Sequence, residues 1–305
     1  MLMVDQMVPP VDVDLEKPVR ASRKRNRVLR KRGRFAFGFA TGWLALCVFV
    51  SVFADLLPIK HYAETPDSGI SQYRRKPGFR FDEPLGTDAV GRSELSRVIY
   101  GLRISLLLSL GAVALAMVLG VAFGVTAGYL RGWVGRVFDL VTDTLLAYPP
   151  LMFLLALTAA LRPGFRTLTI ALMFLAFPTQ AKVARANTLT YVSREFVLAA
   201  RAMGAKSRRI IVREIMPNVA LPVMSISFLA MAALIVAEGS LSFLGVGIPK
   251  PTPALGGMVA DGRPDLATSP HLVFVPGFVL LLTVFSLNTV GDRARARLGL
   301  RELTG

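Results

Sequence analysis

Six apolar stretches of about twenty residues each divide this chain, at 35–57, 103–128, 139–161, 167–184, 217–244 and 271–290. That length as helix crosses the hydrocarbon core of a bilayer. Lipid offers no partners to free backbone N–H and C=O groups, so such stretches must close their hydrogen bonds internally as helices. The expectation is an all-α polytopic membrane protein with six transmembrane helices. Composition agrees. Of 305 residues, 53% are hydrophobic and 18% charged, whereas soluble domains carry about a quarter charged.

Net charge is +16, which raises the question of nucleic acid. The charge is concentrated beside apolar stretches, where it sets topology instead. The basic run "RASRKRNRVLRKRGR", 20–34, has no interleaved aromatics and no recognisable binding fold, so no nucleic-acid partner is expected. Cys47 is the one cysteine, which excludes an intrachain disulfide, and His61 and His271 lie too far apart in sequence for metal-ligand spacing. There is no Walker A loop, G-x-S-x-G or H-E-x-x-H. No catalytic, cofactor-binding or metal residues are expected, and the chain is not read as an enzyme.

The expected order is a cytoplasmic tail at 1–34, a first span at 35–57, an external segment at 58–102, a core of five spans at 103–290, and a cytoplasmic tail at 291–305. The first apolar stretch follows basic residues, as in a signal peptide, but exceeds the usual signal core of about 7–15 residues. It reads as an uncleaved span. Six spans place both termini on one side, and the basic tails identify that side as the cytoplasm. The segment 58–102 is also basic, but it is mixed with Glu64, Asp67, Asp82, Glu83, Asp88 and Glu94. Gly120, Gly124 and Gly128 recur every four residues in the second span. Small residues at that spacing let another helix approach closely. The sequence does not say which helix.

A basic insert at 185–217 interrupts the apolar pattern. Within it, Phe196, Ala200 and Met203 fall at i, i+4, i+7 on one helical face, amid Arg194, Arg201, Lys206, Arg208 and Arg209. Such a helix could lie on anionic headgroups or dock into another protein. Its alanines favour close packing against protein. Pro217 suits the first turn of the following helix.

Ionisable residues near the spans are few. Asp139 and Asp143 stand near the start of the third, and Glu238 near the end of the fifth. Such groups invite functional readings, and Asp143 and Glu238 are candidates for the pathway or a gate. The structural alternative pairs Asp139 with Arg136, three residues earlier, and has Glu238 hold the "SLSFLG" turn. Lys182 and Arg185 mark the cytoplasmic boundary.

The stretch "AARAMGA…EIMPN" resembles the cytoplasmic loop of permeases in ATP-binding-cassette importers, with Ala199, Ala200, Gly204 and Pro217 on the motif. Leu198 stands where that family has Glu, and Met216 where it has Leu. The dipeptide and oligopeptide branch often lacks the Glu. Three further stretches resemble the second, "C"-type permease of that branch: "PLGTDAVGRSELSRVIYGLRISL", "DTLLAYP" and "EGSLSFLGVGIPKPTPALGGM", followed by the tail "PGFVLLLTVFSLNTVGDRARARL".

The resemblance implies a type I importer permease fold in the bacterial inner membrane. It implies a coupling loop that includes Glu195, Ala199, Ala200, Arg201, Gly204, Ala205 and Pro217, with Ala200 in the contact. The implied partners are a homologous second permease, two ATPase subunits (or one fused ATPase) that hold ATP and Mg, and an extracytoplasmic solute-binding protein. Dipeptides and oligopeptides are the implied cargo, with nickel chelates as a family alternative. A self-sufficient carrier or channel is the competing class. Against it stand the lack of an internal repeat and of an acidic or histidine relay deep in a span.

Overall fold

The computed structural model describes residues 35–65, 74–78, 83–161 and 164–302. The tail 1–34, with Asp67 and Asp82, lies outside the described residues. Among those described, the chain is helix and turn, with one isolated bridge between Thr87 and Ser93, as the apolar pattern requires. Helix α1 is Phe35–Val52, α2 Glu94–Leu130, α3 Gly132–Ala147, α4 Pro150–Ala160 and α5 Phe165–Tyr191. The basic insert holds α6, Glu195–Ala202. Then follow α7, Ser207–Phe243, α8, Leu255–Gly262, and α9, His271–Glu302. Five helices are long and apolar enough to cross a membrane, and six spans result if α3 and α4 count as one.

Helix α1 ends at Val52 where 57 was expected, α5 runs on to Tyr191 past the expected 184, and α9 to Glu302 past the expected 290. Three further differences have a local cause. Helix α2 starts nine residues early, inside the segment expected to be external loop. Its N-cap Ser93 accepts a hydrogen bond from the Ser96 amide, which satisfies one of the free amides of the first turn. At 37 residues it is about 55 Å long, well beyond the ~30 Å hydrocarbon core. The third apolar stretch is not one helix. α3 and α4 meet at 91°, because Tyr148 and Pro149 each precede a proline and are driven to extended backbone, at ψ 135° and 127°. Pro150 then opens α4 from its first turn. Finally, the chain before Pro217 is already helical. Ile210–Ile215 is π-helical and regular α-helix resumes at Met216. The widened turn fits a proline that cannot donate and whose ring crowds the carbonyl four residues back. The Asn218 side chain donates to the Glu214 carbonyl at 2.6 Å.

The core forms where α2, α5 and α7 cross. Leu108, Ala112 and Ala116 of α2 pack with Leu168, Leu172 and Ala176 of α5, Leu234 and Leu241 of α7, and Leu154 of α4. The glycine face of α2 meets α5 of the same chain. A Cβ on Gly120 would lie 3.0 Å from the Ala181 amide nitrogen, and one on Gly128 2.8 Å from Thr188 Cβ. Helix α1 sits on the periphery. It is joined to α9 by the Trp43 indole, which donates to Thr283 Oγ1 at 3.2 Å. Just beyond α1, Asp55 pairs with Arg103 at 2.7 Å and accepts from the Tyr100 hydroxyl at 2.8 Å. Both partners, Arg103 foremost, hold its carboxyl below the usual range.

Candidate functional site

The insert is built around the way α6 ends. The Ala205 amide donates to the Ala200 carbonyl at 3.0 Å, the Gly204 amide to Arg201 at 2.9 Å, and Gly204 has φ +80°. This is a Schellman close, with glycine in the left-handed position. It explains the spacing A-x-x-x-G-A in physical terms. Ala200 supplies the carbonyl, Gly204 the turn that other residues resist, and Ala205 the returning amide. Ala205 and Ala200 both pack into one apolar cluster with Val197, Ile210 and Val219. No atom lies within 4 Å of a Cβ placed on Gly204, so the glycine answers to backbone conformation, not crowding.

The cluster corrects the sequence reading of which face docks. Val197 and Ala200 are the buried residues of α6 and face this chain's own spans. Ala200 is therefore withdrawn from an intersubunit contact. Phe196, Leu198 and Met203 are exposed instead, Met203 at 81%. Glu195 and Ala199 are exposed beside them, and Arg201 lies over the Tyr129 ring at the end of α2, 5.0 Å from its centroid. Pro217 is exposed two residues past the π segment. The outward surface is thus an apolar ridge on a helix whose other side is fixed to α2, α5 and α7. Lys206, Arg208, Arg209 and Arg213 border it, without ion pairs among the described residues.

The acidic candidates are engaged elsewhere. Asp139 pairs with Arg185 and Asp143 with Lys182, the latter at 2.6 Å. The two bridges tie antiparallel α3 to α5. Arg136 is not the partner of Asp139. Arg185 continues over the Phe138 ring, 4.8 Å from its centroid. Asp143 is consequently a tie between helices. Glu238 is 1% exposed and accepts from Ser242 Oγ at 2.9 Å and Ser105 Oγ at 3.4 Å, while Ser105 accepts from the Leu255 amide at 3.1 Å. This network fastens the end of α7 to α2 and α8. Its burial removes Glu238 from any surface of this chain and favours the structural alternative.

Sequence reasoning missed one feature at the opposite end of the bundle. Glu94 and Arg97, read as loop charges, are buried at 2% and 4% exposure. Only the helix start at Ser93, with its serine cap, marked them.

Residues 120–302 match the family described as binding-protein-dependent transport system inner membrane component, and the chain belongs to it. It is a multi-pass permease subunit of an ATP-binding-cassette importer. The chain is 33% identical over 248 residues, 81% of its length and 80% of the relative's, to the dipeptide transport system permease protein DppC of Alkalihalophilus pseudofirmus. It is 33% identical over 211 residues to the glutathione transport system permease protein GsiD of Pectobacterium atrosepticum, covering 69% of this chain and 70% of that one. Against the di/tripeptide permease DppC of Pseudomonas aeruginosa it is 34% identical over the same shares. The fold is similar to that in inward-facing structures of the MetNI methionine transporter, with TM-score 0.55 and 17% identity, covering 67% of this chain and 97% of that one.

Proposed function

We propose that this permease carries dipeptides or short oligopeptides inward across the bacterial inner membrane. It supplies half the pathway, and a homologous permease supplies the other half. Both termini and α6 lie in the cytoplasm. There α6 serves as the coupling helix to an ATPase subunit, one of two, which hold ATP and Mg. A solute-binding protein delivers cargo at the opposite face. The relatives named for dipeptide, di/tripeptide and glutathione transport support the cargo class.

The observation that carries the mechanism is the geometry of α6. Its inner face is locked into the bundle by Val197 and Ala200, its end is closed at Gly204, and its outer face is an exposed apolar ridge. A lever needs this form, because force applied to the ridge passes to α2, α5 and α7 without loss in a loose loop. Gly204→Leu tests it. A left-handed backbone costs about 1–2 kcal/mol for residues with a Cβ, so the returning turn opens while the spans stay intact. The expected result is normal insertion with loss of ATPase co-purification and of peptide uptake. Full retention of both would overturn the assignment.

A further inference from the structure

At the far end of the bundle from α6, charged side chains gather around the start of α2, and Asp88, Glu94 and Arg97 among them are buried. Most of them are matched. Asp88 pairs with Arg92 at 2.7 Å and also accepts from the amides of Val90 and Arg92, both at 2.9 Å. Lys250 pairs with Asp261 at 2.9 Å and Arg74 with Asp265 at 3.1 Å. Glu94 and Arg97 are met only in part. They stand one helical turn apart and form no ion pair with each other, and Arg97 Nε pairs at 3.5 Å with the Asp88 oxygen that Arg92 already holds at 2.7 Å. Arg97 Nη1 and Glu94 Oε1 find no hydrogen-bond partner among the described residues. A buried donor or acceptor left in that state carries its full desolvation penalty.

Both side chains line one cavity of about 140 Å³, with Met258 and Asp261 on its far wall. That is many times the ~10–15 Å³ a single water needs. Arg97, Met258 and Asp261 also line an adjoining cavity of about 380 Å³ under the 245–257 loop. The unmet groups are therefore one guanidinium nitrogen and one carboxyl oxygen, side by side in a space of small-molecule size. A simple anion would satisfy Arg97 but would leave Glu94 unmet. A cation alone would leave Arg97 unmet. A zwitterion satisfies both. Two extended residues span about 7 Å, comparable with the reach between side chains one turn apart on a helix.

We infer that Arg97 and Glu94 form a recognition site for the two charged ends of a small zwitterion, an amino acid or short peptide. The carboxylate sits on the Arg97 guanidinium, the ammonium on Glu94, and the side chains extend into the larger cavity. The choice of peptide over other zwitterions rests on the import reading above. On that reading the site lies at the outer face, where cargo enters.

The test is equilibrium dialysis of radiolabelled dialanine against the purified full-length chain in lipid nanodiscs, without ATPase, ATP or binding protein. Saturable binding in the millimolar range or below is expected. Arg97→Gln and Glu94→Gln should each weaken it about tenfold or more, and N-acetyl-dialanine and dialanine amide should compete about tenfold less well than dialanine. The blocked peptides probe both halves on the unaltered chain, whatever the variants do to folding, and Arg97→Lys keeps the charge if Arg97→Gln unfolds. No saturable binding up to roughly 10 mM, or equal competition by blocked and free dialanine, would overturn the site. Since no ATPase is present, failure here with intact ATPase coupling removes this site alone. Peptide binding without ATPase coupling removes the import mechanism alone.

Discussion

Gly124 marks the tightest point of the α2–α5 crossing, and its replacement has a calculable outcome. A Cβ there would fall well inside contact distance of the Ala181 carbonyl oxygen and 2.8 Å from Ala184 Cβ. Ordinary carbon contacts are about 3.5–4.0 Å, so even Gly124→Ala requires α2 and α5 to part by roughly 1 Å. Backbone cannot rotate out of the way as a side chain can. Overpacking of this kind costs about 1–3 kcal/mol. At about 2–4 °C per kcal/mol, the melting temperature should drop by roughly 2–12 °C. Gly124→Leu should prevent recovery of a folded chain. Gly38 and Gly42 on α1 have no atom within 4 Å of a built Cβ, so alanine at either is the control and should change nothing. Thermal unfolding of the purified permease in detergent reads the three alanine variants, and the yield of folded chain reads Gly124→Leu. A Gly124→Ala protein as stable as the Gly38→Ala protein would refute the close α2–α5 crossing.

Two further outcomes follow from the structure. Replacing Pro149 and Pro150 together by alanine should straighten the α3–α4 bend. The Cα separation of residues 141 and 157 would rise from about 17 Å across a right angle to about 24 Å along one helix. Spin labels at Val141→Cys and Leu157→Cys measure that distance, and an unchanged distance would place the cause of the bend elsewhere. The Asp139–Arg185 tie should show as coupling in a double-mutant cycle. Asp139→Asn and Arg185→Gln should together cost less than the sum of each alone, by up to about 1 kcal/mol for a partly exposed pair. Strict additivity in thermal unfolding would show that the bridge contributes nothing.

What was legible in the sequence followed from periodicity and from glycine. Apolar length marked the spans. The spacing of Ala200, Gly204 and Ala205 was read through a resemblance, and its physical meaning, the closure of α6, came from the fold. The four-residue glycine repeat showed a packing face, while the helix it meets came only from the fold. Charge pairing was not legible. Arg136 was the nearer neighbour of Asp139 in sequence, but α3 and α5 run antiparallel and bring Arg185 to it from 46 residues away. The face of α6 was misjudged for a related reason. The i, i+4, i+7 set of Phe196, Ala200 and Met203 is apolar, yet the bundle buries Val197 beside Ala200 and leaves the other two outside. The Glu94–Arg97 site was hidden because charges before a span read as loop, and their burial depends on the 245–265 segment folding over them.

The claim that α6 couples this permease to an ATPase is tested most directly by a cysteine in place of Met203. In a Cys47→Ala background, Met203→Cys should form a cross-linked adduct with the ATPase subunit in isolated membranes. On intact cells it should resist an impermeant thiol reagent. Thr65→Cys, on the segment beside the start of α2, should do the reverse. Labelling of Met203→Cys from outside, or an adduct with lipid alone and none with the ATPase, would contradict the account.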